Sequence, residues 1–372
     1  MELINHNTLL ASGQYKDLYV GNKDSDLALQ LYCFMVRLRR CEEALAAEYH
    51  PADEMRCPVH FCIGQEAAPA ALSALLHHDD YLFSHHRSHG YYLAKSGPMD
   101  DMFAELYGKA TGANGGKAGS QDISFPSERF YSGAILAGAV AIAVGAGLGV
   151  QLRQLPQVIV AGFGESATDE GVFWESVNYA GLRKLPVVFV CENNKYSVFS
   201  PQSKRQAGGG LCQRVETFGV RCTTIFGNDA LKVHQALSTA ITEARSGTGP
   251  TFIELLTYRW SAHYGPDSDD SVGYRPVEEL TTWKNNCPIL LLEKALIANA
   301  TLTPQVKLDI EARADAEIAT AFQFAKSSKP PTLSTWHSMN YSEHTPTADA
   351  VLLDLDWSEF DANQNSSLQK GY

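Results

Sequence analysis

Two short apolar runs, Val158-Ile159-Val160-Ala161-Gly162-Phe163 and Leu185-Pro186-Val187-Val188-Phe189-Val190, limit the possible folds of this chain more than any other feature. Each has the length of a buried strand. The first leads into Gly164-Glu165-Ser166-Ala167-Thr168-Asp169-Glu170-Gly171, and the second into Cys191-Glu192-Asn193-Asn194-Lys195-Tyr196. The pattern reads as strand, acidic turn, helix, strand, Asn-Asn turn. Both turns then lie at the carboxyl ends of neighbouring parallel strands, where open α/β sheets bind ligands. Glu165 offers a carboxylate and Asn194 an amide oxygen. Hard oxygen ligands suit Mg²⁺ or Ca²⁺, and Mg²⁺ commonly pairs one or two protein groups with substrate phosphates. The N–H groups of Ser166 and Ala167, entering a helix, can donate to an anion. The stretch therefore reads as a seat for a metal-bridged diphosphate. The alternative is that Glu165 and Asn194 are ordinary turn and cap residues.

The 372 residues could form one large domain or two ordinary ones. A net charge of -12 argues against nucleic acid or an anionic membrane as the main partner. No run of about twenty apolar residues suggests a membrane span. The first residues lack a basic-then-apolar signal. The eight Cys have no Cys-x-x-Cys pairs or zinc spacing, and are expected to be reduced, mostly buried thiols.

Apolar spacing predicts a long amphipathic helix over 25–50, whose basic end, Arg37-Leu38-Arg39-Arg40, is expected to be solvated. Residues 58–66 read as a loop entering an Ala-rich helix. A short strand is expected at 81–83, a helix at 100–107, and a Gly/Ser/Asn-rich loop at 109–129. The βαβ core spans about 130–260, with further strands at 221–225 and 251–257. The small-residue run 133–150 reads as a packed helix, and 278–328 as helical. The expected organisation is a peripheral segment (1–24), one domain (25–330) and a C-terminal extension (331–372).

The segment from Glu165 to Asn194, 29 positions later, resembles the thiamine diphosphate signature. Further ordered matches are Gly64-Gln65-Glu66, Arg87-Ser88-His89-Gly90, Leu106-Tyr107-Gly108-Lys109, Gly115-Gly116-Lys117, Thr257-Tyr258-Arg259, 267–275 and Pro288-Ile289. Together they resemble the alpha subunits of the decarboxylating first component of 2-oxo acid dehydrogenase complexes, a family that includes pyruvate, branched-chain and acetoin dehydrogenases. The resemblance implies an α/β fold of the thiamine diphosphate-binding type, a mainly parallel sheet with helices on both faces.

It also implies roles for particular residues. Glu165, Asn194 and the Tyr196 carbonyl would hold Mg²⁺. His86, Arg87, Gly164, Ser166, Ala167, Asn194 and His263 would surround the diphosphate, with Arg87 as its clamp. Ala134 would contact the aminopyrimidine through its main chain, and Leu136 would be the apolar wedge behind the bent cofactor. The other reading of Leu136 is a core residue on an Ala-Gly-rich helix. His263 would serve in proton transfer or phosphate binding, since imidazole titrates near neutral pH, while His60 and His89 would orient loops. Ser166 stands where the family usually has Gly, His86 where it often has Tyr, and Ala139-Val140-Ala141 where it often has Gln.

The Glu that protonates the aminopyrimidine would come from a beta subunit, in a two-alpha, two-beta assembly. A lipoyl-bearing acyltransferase component would accept the acyl group taken from a small 2-oxo acid. The expected compartment is a bacterial-type cytoplasm, with mitochondrial matrix or plastid as alternatives. Competing readings are an acetoin- or acyloin-cleaving subunit, motivated by Trp260 and 264–267, and a non-catalytic assembly subunit, motivated by Ser166, His86 and Val140.

Overall fold

In the computed structural model, residue 15 and residues 18–208 and 210–332 are described. The elements in chain order are α1 (Ser25–Ala52), α2 (Ala67–Leu75), β1 (Tyr81–Ser84), α3 (His89–Ala94), α4 (Met99–Leu106), β2 (Phe130–Ser132), α5 (Gly138–Leu152), β3 (Ile159–Gly164) and α6 (Gly171–Arg183). They continue with β4 (Val187–Asn193), β5 (Tyr196–Ser197), β6 (Ser200–Pro201), α7 (Gln202–Arg205), α8 (Leu211–Glu216), β7 (Arg221–Phe226), α9 (Ala230–Arg245), β8 (Thr251–Leu256), α10 (Val277–Asn285), α11 (Pro288–Ala298) and α12 (Pro304–Ser327).

Six strands form one sheet in the order β2-β1-β3-β4-β8-β7, and every pairing is parallel. Side chains alternate across a strand, and helices cover both faces. Ile159, Ala161 and Phe163 pack with Val187 and Phe189 against α5 and α6, where Val140, Val144, Phe173 and Val177 meet them. Val158, Val160, Val188 and Val190 face the other way, onto Val233, Leu237 and Ile241 of α9 and onto α4 and α12. This is the expected α/β architecture. The chain places β2 on one side of β1 and β3 on the other, so the strand order reverses there. Such a switch point opens a crevice at the carboxyl ends of the strands.

Several expectations are corrected. The small-residue helix begins at Gly138 rather than residue 133, because Ala137 adopts a left-handed conformation (φ 58°) just before it. Leu136 therefore precedes the helix and is 40% exposed, which removes the core-residue reading. The basic end of α1 is engaged in ion pairs rather than freely solvated. Arg37 pairs with Glu317 at 2.6 Å and Arg40 with Asp315 at 2.6 Å, while Arg39 is buried against Glu66 at 2.6 Å and lies over the Trp260 ring. Two of the eight cysteines are not free: packing of α8 beside β7 sets the Cα atoms of Cys212 and Cys222 5.3 Å apart, and they form a disulfide.

Of the expected peripheral segment 1–24, Tyr15 packs on Phe226 with ring centroids 4.3 Å apart and Val20 is buried. Apart from Pro331 and Thr332, the C-terminal extension lies outside the described residues. Among the described residues no helix is long and apolar enough to cross a membrane.

The loop 109–129 is held from within by one carboxylate. Glu105, buried at the end of α4, accepts N–H donors from Asn114, Gly116, Ala118 and Gly119 at 2.7–3.1 Å. Four charge-assisted bonds replace a missing regular element. The loop then carries Ser120 to the centre of the molecule, where its carbonyl accepts from the Ser88 hydroxyl at 3.0 Å and its Oγ meets His89 Nε2 at 2.8 Å. His89 is fully buried, with Nδ1 2.6 Å from Glu42 Oε1, so it ties α1, α3 and the loop together.

Candidate functional site

The site residues come from loops at the carboxyl ends of five strands. His86 and Arg87 follow β1, Ala134 and Leu136 follow β2, and Gly164 closes β3 ahead of a 3-10 turn over Glu165–Asp169. Asn194 and Tyr196 follow β4, and His263 follows β8. One cleft of about 150 Å³ is lined by His86, Arg87, Ala134, Leu136, Gly164, Glu165, Ser166, Asn194, Tyr196 and His263. Ala167 lines an adjoining hollow with His86, Leu136 and Ser166. The residues singled out from sequence thus converge. Arg259, from the Thr257-Tyr258-Arg259 match, also lines the cleft, as do His85, Ser197 and Val198, to which no motif points.

Glu165 is 1% exposed. Burial pushes its carboxyl up to about 7, against the pull of Arg205, which donates to it and also to Asp169. Arg205, at the end of α7, belongs to no recognised motif; only the folded chain reveals its link to residue 165. Ser166 has no left-handed backbone conformation, so a side chain fits where glycine is more usual.

The Asn-Asn turn is a pair of Asx turns. Asn193 Oδ1 accepts from Lys195 N at 3.0 Å, and Asn194 Oδ1 accepts from Tyr196 N at 3.2 Å. An amide oxygen has two lone pairs, so Asn194 retains one for a ligand. Glu279 of α10 clamps the turn from behind. It accepts from Lys195 Nζ at 2.6 Å, Tyr196 Oη at 2.7 Å and Tyr258 Oη at 3.2 Å.

Across the cleft, Arg87 is 3% exposed and donates to two backbone carbonyls, of Phe61 and of His263 (3.1 Å). It forms no salt bridge with a carboxylate among the described residues. Burial and the neighbouring Arg259 lower its pKa to about 10, so it remains cationic at neutral pH. A buried guanidinium bonded only to neutral oxygens favours an anion beside it.

The ring of His263 does not titrate near neutrality as expected for a free imidazole. Burial, then Arg87 and Arg259, depress it to about 4. His86 is held well below its ordinary value by burial and by His85 and Arg87. His60 also joins this group, with its ring centroid 4.7 Å from His86 and 5.0 Å from His263.

Glu192, beside the Asn-Asn turn, is buried and accepts from Tyr91 Oη at 2.8 Å and Gln65 Nε2 at 3.3 Å, with His85 Nε2 at 3.3 Å. Of these partners His85 lines the cleft, so Glu192 braces that lining residue from behind. Trp260 is not a cleft residue: Gly64 and the Arg39 guanidinium pack against its ring. Val140 faces the apolar core between α5 and the sheet.

A family model described as "Dehydrogenase E1 component" matches residues 34–334. A Porphyra purpurea protein named pyruvate dehydrogenase E1 component subunit alpha is 33% identical over 314 residues, covering 82% of this chain and 90% of that protein. The alpha subunit of acetoin:2,6-dichlorophenolindophenol oxidoreductase from Bacillus subtilis is 33% identical over 305 residues, with 82% and 90% coverage. The pyruvate dehydrogenase E1 alpha subunit of Rhizobium meliloti is 30% identical over 315 residues, with 84% and 89% coverage.

Proposed function

Because the chain belongs to the dehydrogenase E1 component family, we propose that it is the alpha subunit of a thiamine diphosphate-dependent 2-oxo acid dehydrogenase. It takes part in oxidative decarboxylation of a 2-oxo acid such as pyruvate, with acyl transfer to a lipoyl group. The observation that carries this reading is the placement of a buried, hard-oxygen set (Glu165, Asn194, Tyr196) and a buried guanidinium without a carboxylate partner (Arg87) around one cleft at the sheet's switch point. That pairing fits a magnesium diphosphate, which needs oxygen ligands for the cation and a cation for the phosphate oxygens.

Thiamine diphosphate, when bound, supplies the nucleophilic carbon and the electron sink for loss of the carboxylate. The Glu165 carboxylate, the Asn194 side-chain oxygen and the Tyr196 carbonyl would hold Mg²⁺. Arg87 would hold the diphosphate, and the first N–H groups of the 3-10 turn, at Ser166 and Ala167, would donate to it. The open space over Gly164, where an added Cβ would touch nothing within 4 Å, leaves room for that approach. Ala134 would offer main-chain contacts to the cofactor and Leu136 an apolar support. His86 and His263 present neutral imidazoles that can donate an N–H to phosphate. An anion beside His263 raises its proton affinity, which suits it to holding a proton at a ring nitrogen near the reacting centre.

The cleft of about 150 Å³ is smaller than the roughly 300–1,000 Å³ of small-molecule sites. This supports a site completed by a beta subunit, which would add the Glu that acts on the aminopyrimidine. The exposed Ile135, Leu136 and Ile142 provide apolar surface for such packing. A lipoyl-bearing acyltransferase would take the product. An acyloin substrate is the second reading, favoured by the Bacillus relative. The ordinary backbone at Ser166 and the core position of Val140 weaken the case for a non-catalytic subunit.

The test is calorimetry of thiamine diphosphate with Mg²⁺ on the native assembly, followed by a dye-reduction panel of 2-oxo acids and acetoin. Saturable Mg²⁺-dependent binding that Glu165→Ala abolishes is expected. An assembly that takes up no cofactor would rule the reading out.

A further inference from the structure

Three imidazoles from three separate segments meet beside the cleft. His60 precedes α2, His86 follows β1 and His263 follows β8. The third ring separation, between His86 and His263, is 5.3 Å. One ring nitrogen from each residue lies within 4.8 Å of the others. His60 is buried, while the other two are partly open toward the cleft. Local sequence does not bring such residues together; the strand order does.

We propose that His60, His86 and His263 form a binding site for a divalent transition metal of the zinc class, with its fourth coordination position open to the cleft. Three histidines with an open fourth position are an established ligand set for Zn²⁺. Imidazole suits zinc, copper and nickel, whereas Mg²⁺ prefers oxygen, so this site differs in chemistry from the Glu165–Asn194 position. Ligation needs neutral imidazoles, and burial, with Arg87 among the nearby charges, disfavours the protonated form of all three.

With metal–nitrogen bonds of about 2.0–2.1 Å, a tetrahedron has edges of about 3.4 Å. The nitrogens must therefore converge by up to about 1.4 Å from a 4.8 Å spacing, a movement that side-chain rotation supplies. Gln121 Nε2 lies 3.4 Å from His60 Nδ1, an outer contact able to fix which nitrogen faces the metal. The Arg87 charge opposes a bare dication, so an anionic fourth ligand such as hydroxide completes the site. Because His86 and His263 also line the diphosphate position, metal and cofactor exclude one another. That last consequence rests on the function proposed above; the metal site itself does not.

The experiment is a Co²⁺ titration of the full chain, without a polyhistidine tag and stripped with chelator, read by visible absorption. One Co²⁺ per chain with tetrahedral d–d bands is expected, and Zn²⁺ should displace the colour. His86→Tyr and His60→Asn should each weaken binding by more than the 10–100-fold typical of outer-shell loss. His234→Ala, on α9, should leave it unchanged. Circular dichroism checks folding, and His86→Gln replaces a variant that fails it. Absence of the bands, or bands that survive both His86→Tyr and His60→Asn, would overturn the proposal. Thiamine diphosphate with Mg²⁺ should weaken Co²⁺ binding at least about tenfold. If Co²⁺ binds as expected and the cofactor has no effect, the metal site stands and the placement of diphosphate at His86 and His263 fails.

Discussion

Arg205 and Glu165 form an ion pair in which the carboxylate is almost wholly buried and the guanidinium nearly so. The same guanidinium reaches Asp169, so it has a second anchor when it releases the first. It occupies the carboxylate that the proposed function assigns to Mg²⁺. Arg205→Gln removes a competing cation, and it should tighten Mg²⁺ in the presence of thiamine diphosphate by about tenfold, roughly 1.4 kcal/mol. A Mg²⁺ titration by calorimetry checks this; unchanged or weaker affinity would count against displacement of Arg205.

The pH dependence at Glu165 has a defined sign. Its folded value of about 7 lies above the ordinary 4.5, so the metal-free fold binds a proton that the unfolded chain has released. Stability from this group is complete below 4.5 and is lost as pH rises through about 7. Cation binding needs the carboxylate and runs the opposite way. Thermal melts between pH 5 and 8 should show the gap between chelator-treated and Mg²⁺–cofactor-loaded protein widening with pH. A gap that stays constant or narrows would contradict the assignment.

Glu279 is a positioning residue for the Asn-Asn turn. Burial alone would raise its pKa, but hydrogen bonds from Lys195, Tyr196 and Tyr258 hold it lower than an ordinary carboxyl. Its contribution is present above 4.5 and disappears as pH falls through the lowered folded value. Glu279→Gln should cost about 1–3 kcal/mol and weaken Mg²⁺-dependent cofactor binding about tenfold. Equal affinity at reduced stability would mean the clamp does not set the ligand geometry.

Gly64 has φ 97°, and an added Cβ would lie 2.5 Å from Trp260 Cδ1 and 2.6 Å from the Tyr258 carbonyl oxygen. The carbonyl is backbone and cannot swing aside. Its own N–H bonds Glu66, the partner of Arg39. Gly64→Ala should therefore destabilise the chain by about 3 kcal/mol or more. A urea midpoint equal to that of the parent would show that the loop relaxes freely.

The strands β3 and β4 are legible because they are continuous apolar runs, and the turns after them because Glu165 and Asn194 stand at motif spacing. β2 is not, since three residues leave no periodicity. Nor is α3, whose six residues are all buried and so show no amphipathic pattern. Arg205 and Glu279 reach their partners 40 and 84 positions away, and no local pattern encodes such pairings. The burial of Arg39 depends in the same way on Glu66. His60 gives only a weak signal, as a residue that would orient loops, because His86 and His263 are distant from it in sequence.

Glycine and serine suggest a slack tether between residues 109 and 129, yet Glu105 turns four amides of that stretch toward one point. A segment fastened at one internal anchor cannot melt piece by piece. Its amides should exchange with solvent together, at the opening rate of α4 rather than that of a free loop. The stiffness around Ser88 and His89, which Ser120 of that loop holds, is then inherited from the end of α4.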